Sequence, residues 1–378
     1  MIVVGVLSGT SLDGIDVAVA DIGPRARRVL TFATLPFAPG LRTRLLAAFP
    51  PSRFDALALA ALHADVGSAL GNAVRSVAAG YDVALVGSHG LTLAHDGAAH
   101  RTLQIGDPFR LRERVGVTVA YDFRAADCAA GGHGAPLVPY LDALLFGAHD
   151  ADRVAVNLGG IANLCVLRAG AQPSDALAFD SGPANLPIDT YVAARGLSDG
   201  RCDRDGALAL QGTADVALLS GWLADPYFSA PPPKSTGREA FGAPFVEAHR
   251  RQLDMLPAAD AVATLTALAV RSLADAVRRS APAGATVILS GGGVHNRALV
   301  GGLRAELSAM TVATADAFGV DPDAKEALLF AQLAYDLVRG RPTNVPKVTG
   351  ARGPRLLGAL APCELARLDA ALRREEEA

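Results

Sequence analysis

The residues able to do chemistry in this chain gather where glycine turns leave apolar strands. The first such place is "GVLSGTSLDGID", Gly5–Asp16. Glycines let a backbone come close to a ligand and adopt positive φ, so successive N–H groups can converge on an anion. Here Gly9, Thr10, Ser11, Asp13, Gly14 and Asp16 add hydroxyls, and carboxylates able to hold hydrated magnesium. An ordinary hairpin uses the same residue types, and the segment alone does not decide. "NLGGIAN" (Asn157–Asn163) and "LSGGGVHN" (Leu289–Asn296) repeat the outline, and several such turns suit a split nucleotide site.

In "FDSGPAN", Asp180 ends an apolar strand before a Ser-Gly-Pro turn. It either bonds the N–H groups of that turn or serves as a general base for a hydroxyl or water. "VAYDFRAAD" sets Arg124 near Asp122 and Asp127, as a surface ion pair or as a clamp on an anionic substrate. His89 and His133 lie among glycines without metal-site spacing. Glu326, at an expected helix N-terminus, favours that end electrostatically whatever else it does. Several familiar signatures fail. "PPPKSTG" holds the Lys-Ser-Thr of a Walker A loop, but Phe228 and Pro233 stand where its glycines belong, and proline has no N–H for a phosphate. "SGGGVHN" has Asn296 at the third glycine of a dinucleotide fingerprint, and no G-x-S-x-G or H-E-x-x-H occurs.

Placing these groups requires alternating strands and helices, the α/β pattern. "IVVGVL" and "IDVAVAD" flank the first loop as a hairpin, and "RVAVNLGGIANLCVL" has the same outline half a molecule later. The two are either leading hairpins of two related domains or unrelated look-alikes. A helix is expected from Phe54 to Ala79, with Leu59, Leu62, Val66, Leu70, Val74 and Val77 on one face, and another from about Ala261 to Arg279. A third begins with Asp321 as cap and Pro322 in the first position, and stops at Gly340. Pro231–Pro233 marks an exposed loop, and "RREEEA" a solvated tail.

With 378 residues, 51% of them apolar, the chain is long enough for two cores. A net charge of -3 and 5% aromatics disfavour nucleic-acid partners. The scattered Cys128, Cys165, Cys202 and Cys363 form neither a zinc knuckle nor a disulfide framework. No signal segment and no membrane-spanning stretch is evident, so a cytoplasmic protein is expected.

The motifs together resemble the anhydro-N-acetylmuramic acid kinase family of the actin-like, Hsp70-like, sugar-kinase superfamily. The resemblance runs almost end to end through "SGTSLDGID", "GSHG", "TLQIGDP", "DFR", "GAPLVP", "NLGGIAN", "DSGPAN", "PPKSTGRE", "SGGGVHN", "EALLFAQLA" and "NVPKVTGA". It implies an α/β protein of two ribonuclease-H-like domains facing each other across a nucleotide cleft. Residues 1–126 with 341–378 would form one domain, and 127–340 the other. It implies a reaction in which water opens a 1,6-anhydro ring while the freed O6 takes the γ-phosphate of ATP, with Mg2+ as cofactor. By resemblance, Gly9, Thr10, Ser11, Leu12, Asp13, Gly14, Ile15 and Asp16 form the ATP-phosphate loop. Gly159, Gly160, Gly291, Gly292, Gly293 and Asn296 join in holding the nucleotide, Asp180 is the base for water, and Glu326 a second catalytic group. His89, Gln104 and Arg124 fall at the substrate, and a homodimer is implied. The chain departs from the family with Leu91 and His133 in place of Gln, Ala184 in place of Gly and Ser181 in place of Thr. The first two are expected to bear on sugar recognition. A kinase for a different sugar, or an actin-like nucleotide-binding protein without sugar chemistry, are the competing readings.

Overall fold

The computed structural model describes residues 1–24, 26–49, 52, 55–198 and 201–376. Phe54, the expected start of the first long helix, and the last two residues of the "RREEEA" tail lie outside them. The chain divides into two compact units, Met1–Leu141 with Ala324–Ala378, and Asp142–Asp323.

In the first unit, β1 (Ile2–Ser8), β2 (Ile15–Ile22) and β3 (Arg27–Leu35) form an antiparallel meander. Two strands parallel to β1 follow beyond it, β4 (Leu85–Asp96) and β6 (Val119–Tyr121). The strands β5 (Arg101–Ile105) and β12 (Ala359–Ala361) add to β4 and β6. In the second unit, β7 (Arg153–Leu158), β8 (Ile161–Leu167) and β9 (Leu177–Pro183) form the meander, and β10 (Thr286–Ser290) and β11 (Thr311–Thr314) the parallel pair. The sheet orders β3-β2-β1-β4-β6 and β9-β8-β7-β10-β11 therefore repeat one topology. The two glycine hairpins are the leading elements of two like units, as the ribonuclease-H-like expectation required.

Each sheet is covered by helices whose apolar faces supply a separate core. The helix Ala56–Val77 lays Leu62, Val66, Leu70 and Val74 on the first sheet, and Ala258–Ser280 lays Val262, Leu265, Leu273 and Val277 on the second. Each such side chain contributes about 1.5–3 kcal/mol by burial. Ala56–Val77 is long and apolar enough to cross a membrane, against the expectation that no stretch would be. Its packing against the sheet gives that length a structural use.

Two expectations change. The helix Lys325–Val338 starts after the predicted cap, because Asp321 instead accepts from the Asp323 N–H in the preceding turn. That helix also belongs to the first unit rather than the second. Gly5 in β1 and Gly87 in β4 are its seat: a Cβ there would stand 1.8 Å from the Ala327 carbonyl oxygen and 2.0 Å from that of Phe330. Residues 127–141 join the same unit. Their anchor is buried Asp127, which accepts from Asn344 Nδ2 at 2.8 Å and Thr349 Oγ1 at 2.7 Å. The four cysteines are free thiols.

Candidate functional site

The loop between β1 and β2 is built to present backbone. Ser8 Oγ donates to the Gly14 carbonyl at 2.8 Å, and Leu12 N–H closes a turn onto the Gly9 carbonyl at 3.1 Å. Arg42 Nε holds the Leu12 carbonyl at 3.1 Å. Leu12 adopts φ 55°, a left-handed conformation that L side chains avoid and that must be maintained by its surroundings. Gly14 leaves no room for a side chain, since a Cβ would lie 2.5 Å from Thr34 Cγ2. Leu12 and Ile15 point into the core, so they contribute backbone only. Thr10, Ser11 and Asp13 are exposed, and Asp16 accepts from Thr34 Oγ1 at 2.6 Å.

Glu326 stands in the first turn of Lys325–Val338, on the helix seated by Gly5 and Gly87. Its side chain reaches solvent, yet crowding by protein raises its carboxyl above the ordinary range, as does nearby Asp16; Arg124 opposes both. Arg124 pairs with neither Asp122 nor Asp127 as the sequence suggested. Its Nε donates to His89 Nε2 at 2.9 Å and its second nitrogen to the Gly134 carbonyl at 2.8 Å. Arginine is an obligate donor, so His89 accepts at Nε2 and carries its proton on Nδ1. Burial, then the positive Arg124, lower the His89 pKa well below its ordinary value and keep the ring neutral. Among the described residues no well-formed hydrogen bond reaches its buried Nδ1 or the buried Ser88 hydroxyl. Both residues line a cavity of about 430 Å³ with His63, Thr102, Gln104 and Asp122. Gln104 Nε2 donates to Thr102 Oγ1 at 2.7 Å and Thr92 Oγ1 at 3.2 Å, which orients the amide. The cavity therefore offers oriented donors and acceptors for a polar ligand.

In the second unit Asp180 is held at both backbone groups and one carboxylate oxygen. Its N–H donates to the Lys234 carbonyl at 3.2 Å, Tyr227 Oη donates to its carbonyl at 2.7 Å, and Thr236 N–H donates to Oδ2 at 3.0 Å. Burial raises its pKa; the Thr236 bond opposes and Glu239 adds to the rise. The Ser-Gly-Pro turn that follows does not take up the carboxylate. The carbonyls of Gly159 and Gly160 accept from the N–H groups of Ala184, Asn185 and Leu186, which fasten that turn to the next helix. Gly291, Gly292 and Gly293 follow β10 in a tight turn closed by Val294 N–H on the Gly291 carbonyl at 3.0 Å. Asn296 Oδ1 caps the helix Arg297–Glu306 through Ala298 and Leu299 N–H, so its carbonyl oxygen is already engaged.

The predicted residues thus fall into two sets. Gly9–Asp16, His89, Gln104, Arg124 and Glu326 belong to the first unit; Gly159, Gly160, Asp180, Gly291–Gly293 and Asn296 belong to the second. The same geometry shows groups that sequence reading missed. Thr92 had no motif to flag it, Thr102 stood in "TLQIGDP" where only Gln104 was singled out, Asp122 was read only as a partner for Arg124, and Lys234 and Thr236 lay in the segment rejected as a phosphate loop.

The family model for anhydro-N-acetylmuramic acid kinase matches residues 1–363. The chain belongs to that family. Curated relatives carry the same name: one from Gloeobacter violaceus is 46% identical over 95% of this chain and 98% of its own. Others from Salinibacter ruber and Xanthomonas campestris are 44% and 43% identical, each over 95% of this chain and 96% of the relative. Family membership makes the chain a kinase, a phosphotransferase with an alcohol acceptor. Among solved structures, an activator of 2-hydroxyisocaproyl-CoA dehydratase from Clostridium difficile with bound ADPNP is 12% identical, covering 90% of this chain and 96% of that one, at TM-score 0.46. A ROK family glucokinase from Streptomyces griseus in complex with glucose and AMPPNP is 14% identical, covering 89% and 100%, at TM-score 0.42. Of the departures from the family pattern, Leu91 is fully buried in the core of the first unit and His133 lies exposed on its own loop. Neither lines the 430 Å³ cavity.

Proposed function

We propose that this kinase opens 1,6-anhydro-N-acetylmuramic acid with water and phosphorylates the freed O6 with ATP, giving N-acetylmuramic acid 6-phosphate and ADP. The observation that carries the reading is Asp180, a half-buried carboxylate of raised basicity with one oxygen fixed by Thr236 N–H. Such a group suits removal of a proton from water attacking C1. In that step the C1–O6 bond breaks as C1 gains the hydroxyl, O6 bonds to the γ-phosphorus, and the bond to the ADP oxygen breaks. The water proton goes to Asp180.

Phosphoryl transfer needs mainly positioning and charge neutralisation. The Gly9–Asp16 loop supplies backbone donors for the phosphates, and Gly159, Gly160 and Gly291–Gly293 turns of the second unit add to nucleotide binding. His89, Gln104 and Arg124 bind the sugar, with the Nδ1 proton of His89 donated to a substrate oxygen. Among the described residues no group of three or more His, Cys, Asp or Glu side chains could hold a metal unaided. The neighbouring carboxylates of Asp16 and Glu326 nevertheless fit magnesium, which keeps several waters and uses one or two carboxylates plus substrate phosphates. Magnesium bound there would neutralise phosphate charge. Recycling of peptidoglycan sugar, a cytoplasmic location and a homodimer belong to the same proposal and rest on the resemblance.

The test is incubation with ATP, Mg2+ and 1,6-anhydro-N-acetylmuramic acid, with products identified by mass spectrometry. Sugar 6-phosphate carrying one oxygen from labelled water is expected. A product lacking that oxygen, or ATP hydrolysis without sugar phosphate, would refute it.

A further inference from the structure

The "PPPKSTG" segment fails as a phosphate loop, yet the fold wraps it along β9 at Asp180. Lys234 Nζ donates to the carbonyls of Tyr227 at 2.8 Å and Phe228 at 3.2 Å, and sits 4.5 Å from the Tyr227 ring centroid. Its own carbonyl accepts the Asp180 N–H, and two residues on, Thr236 N–H reaches Asp180 Oδ2. Tyr227, whose carbonyl and ring hold the ammonium, also donates its hydroxyl to the Asp180 carbonyl at 2.7 Å. The lysine therefore closes a ring of contacts: Asp180 to the strap, the strap to Tyr227, and Tyr227 back to Asp180.

We propose that Lys234 is a positioning residue that secures the strap so that Thr236 N–H fixes Asp180 Oδ2 and leaves Oδ1 to accept the proton from water. The inference rests on Asp180 being the base of the proposed reaction. A lysine serving as a phosphate ligand would direct its ammonium at the nucleotide; this one is spent on two backbone carbonyls and an aromatic face. Arg279 donates to the same Phe228 carbonyl at 2.6 Å, so that end of the strap is held by two cations. The groups facing Asp180 in this unit are Glu239, which raises its pKa, and the Tyr227 hydroxyl, with Lys234 and Arg279 behind the strap. Among the described residues only the Thr236 bond pulls the carboxyl downward, so loosening the strap both frees its orientation and raises its pKa further.

The experiment uses the full chain with ATP, Mg2+ and the anhydro sugar across a pH series, comparing Lys234→Met, Lys234→Arg and Asp180→Asn. Misplacing a reacting group by about 1 Å costs about 10²-fold, which is the fall in kcat expected for Lys234→Met. Its KM for ATP should stay within about twofold, since uniform binding is untouched. The acid limb of kcat/KM should move to higher pH, and Lys234→Arg should recover most of the rate. A raised KM for ATP at unchanged kcat would make Lys234 a phosphate ligand and overturn the inference, as would an unaltered pH profile. If Lys234→Met loses its cooperative melting transition, Tyr227→Phe removes only the hydroxyl from the ring of contacts. Its kcat should fall at unchanged KM for ATP, and wild-type kcat would overturn the inference. Wild-type turnover in Asp180→Asn would remove the base reading itself. Inactive Asp180→Asn beside fully active Lys234→Met would remove the strap alone.

Discussion

Placing an alanine at Gly5 tests how Glu326 is held. The added Cβ would stand 1.8 Å from the Ala327 carbonyl oxygen, 2.8 Å from its carbon and 2.9 Å from Ala331 N, where ordinary contact begins at 3.4 Å. All three are backbone atoms, so no rotamer change relieves the clash, and strand and helix must part by more than about 1 Å. Overpacking of this kind costs about 1–3 kcal/mol. At about 2–4 °C per kcal/mol, the melting temperature should fall by about 2–12 °C. Glu326 precedes Ala327 on the same turn and moves with it, so turnover should fall by up to about 10²-fold. Calorimetry and ADP-release kinetics read the two effects. Gly23→Ala is the control, since among the described residues nothing lies within 4 Å of a Cβ there. Gly87→Ala strikes the same helix at Phe330, and one displacement relieves both clashes, so the double variant should be less destabilised than the sum of the singles. Gly5→Ala melting and turning over like wild type would refute the close seating of Lys325–Val338 on β1.

Asp127→Ala leaves the Asn344 amide, the Thr349 hydroxyl and the Gly134 N–H without their acceptor, and should cost about 3 kcal/mol or more in urea unfolding. His89→Phe removes the acceptor for Arg124 and the Nδ1 proton while keeping the tilted ring contact with Phe330. The expected loss in kcat/KM for the sugar is about tenfold to a hundredfold, with KM for ATP unchanged in the same steady-state assay. A base works ionised, so activity should vanish as pH falls through the raised Asp180 pKa. The acid limb of kcat/KM should therefore lie above the ordinary carboxylate range, and salt of up to about 1 M should shift it little because burial is the main cause.

The amino-acid sequence by itself determined the local features. β-branched runs meeting glycine turns specify the hairpins β1–β2 and β7–β8, and the helical spacing of Leu62, Val66, Leu70 and Val74 specifies a helix with one apolar face. Motif order identified the family and brought Asp180, Glu326 and the Gly9–Asp16 loop into view. Tertiary structure decided which groups meet. Periodicity shows that Lys325–Val338 is a helix, but not that Gly5 and Gly87, more than two hundred residues earlier, leave the space it occupies. Leu91 looked like a change at the substrate until β4 turned it into the core. Lys234 and Thr236 read as a failed phosphate loop, because their hydrogen bonds to Asp180 join positions that no local pattern links. Propensity and spacing act over a few residues, whereas a binding group is made by chain segments that packing alone brings together.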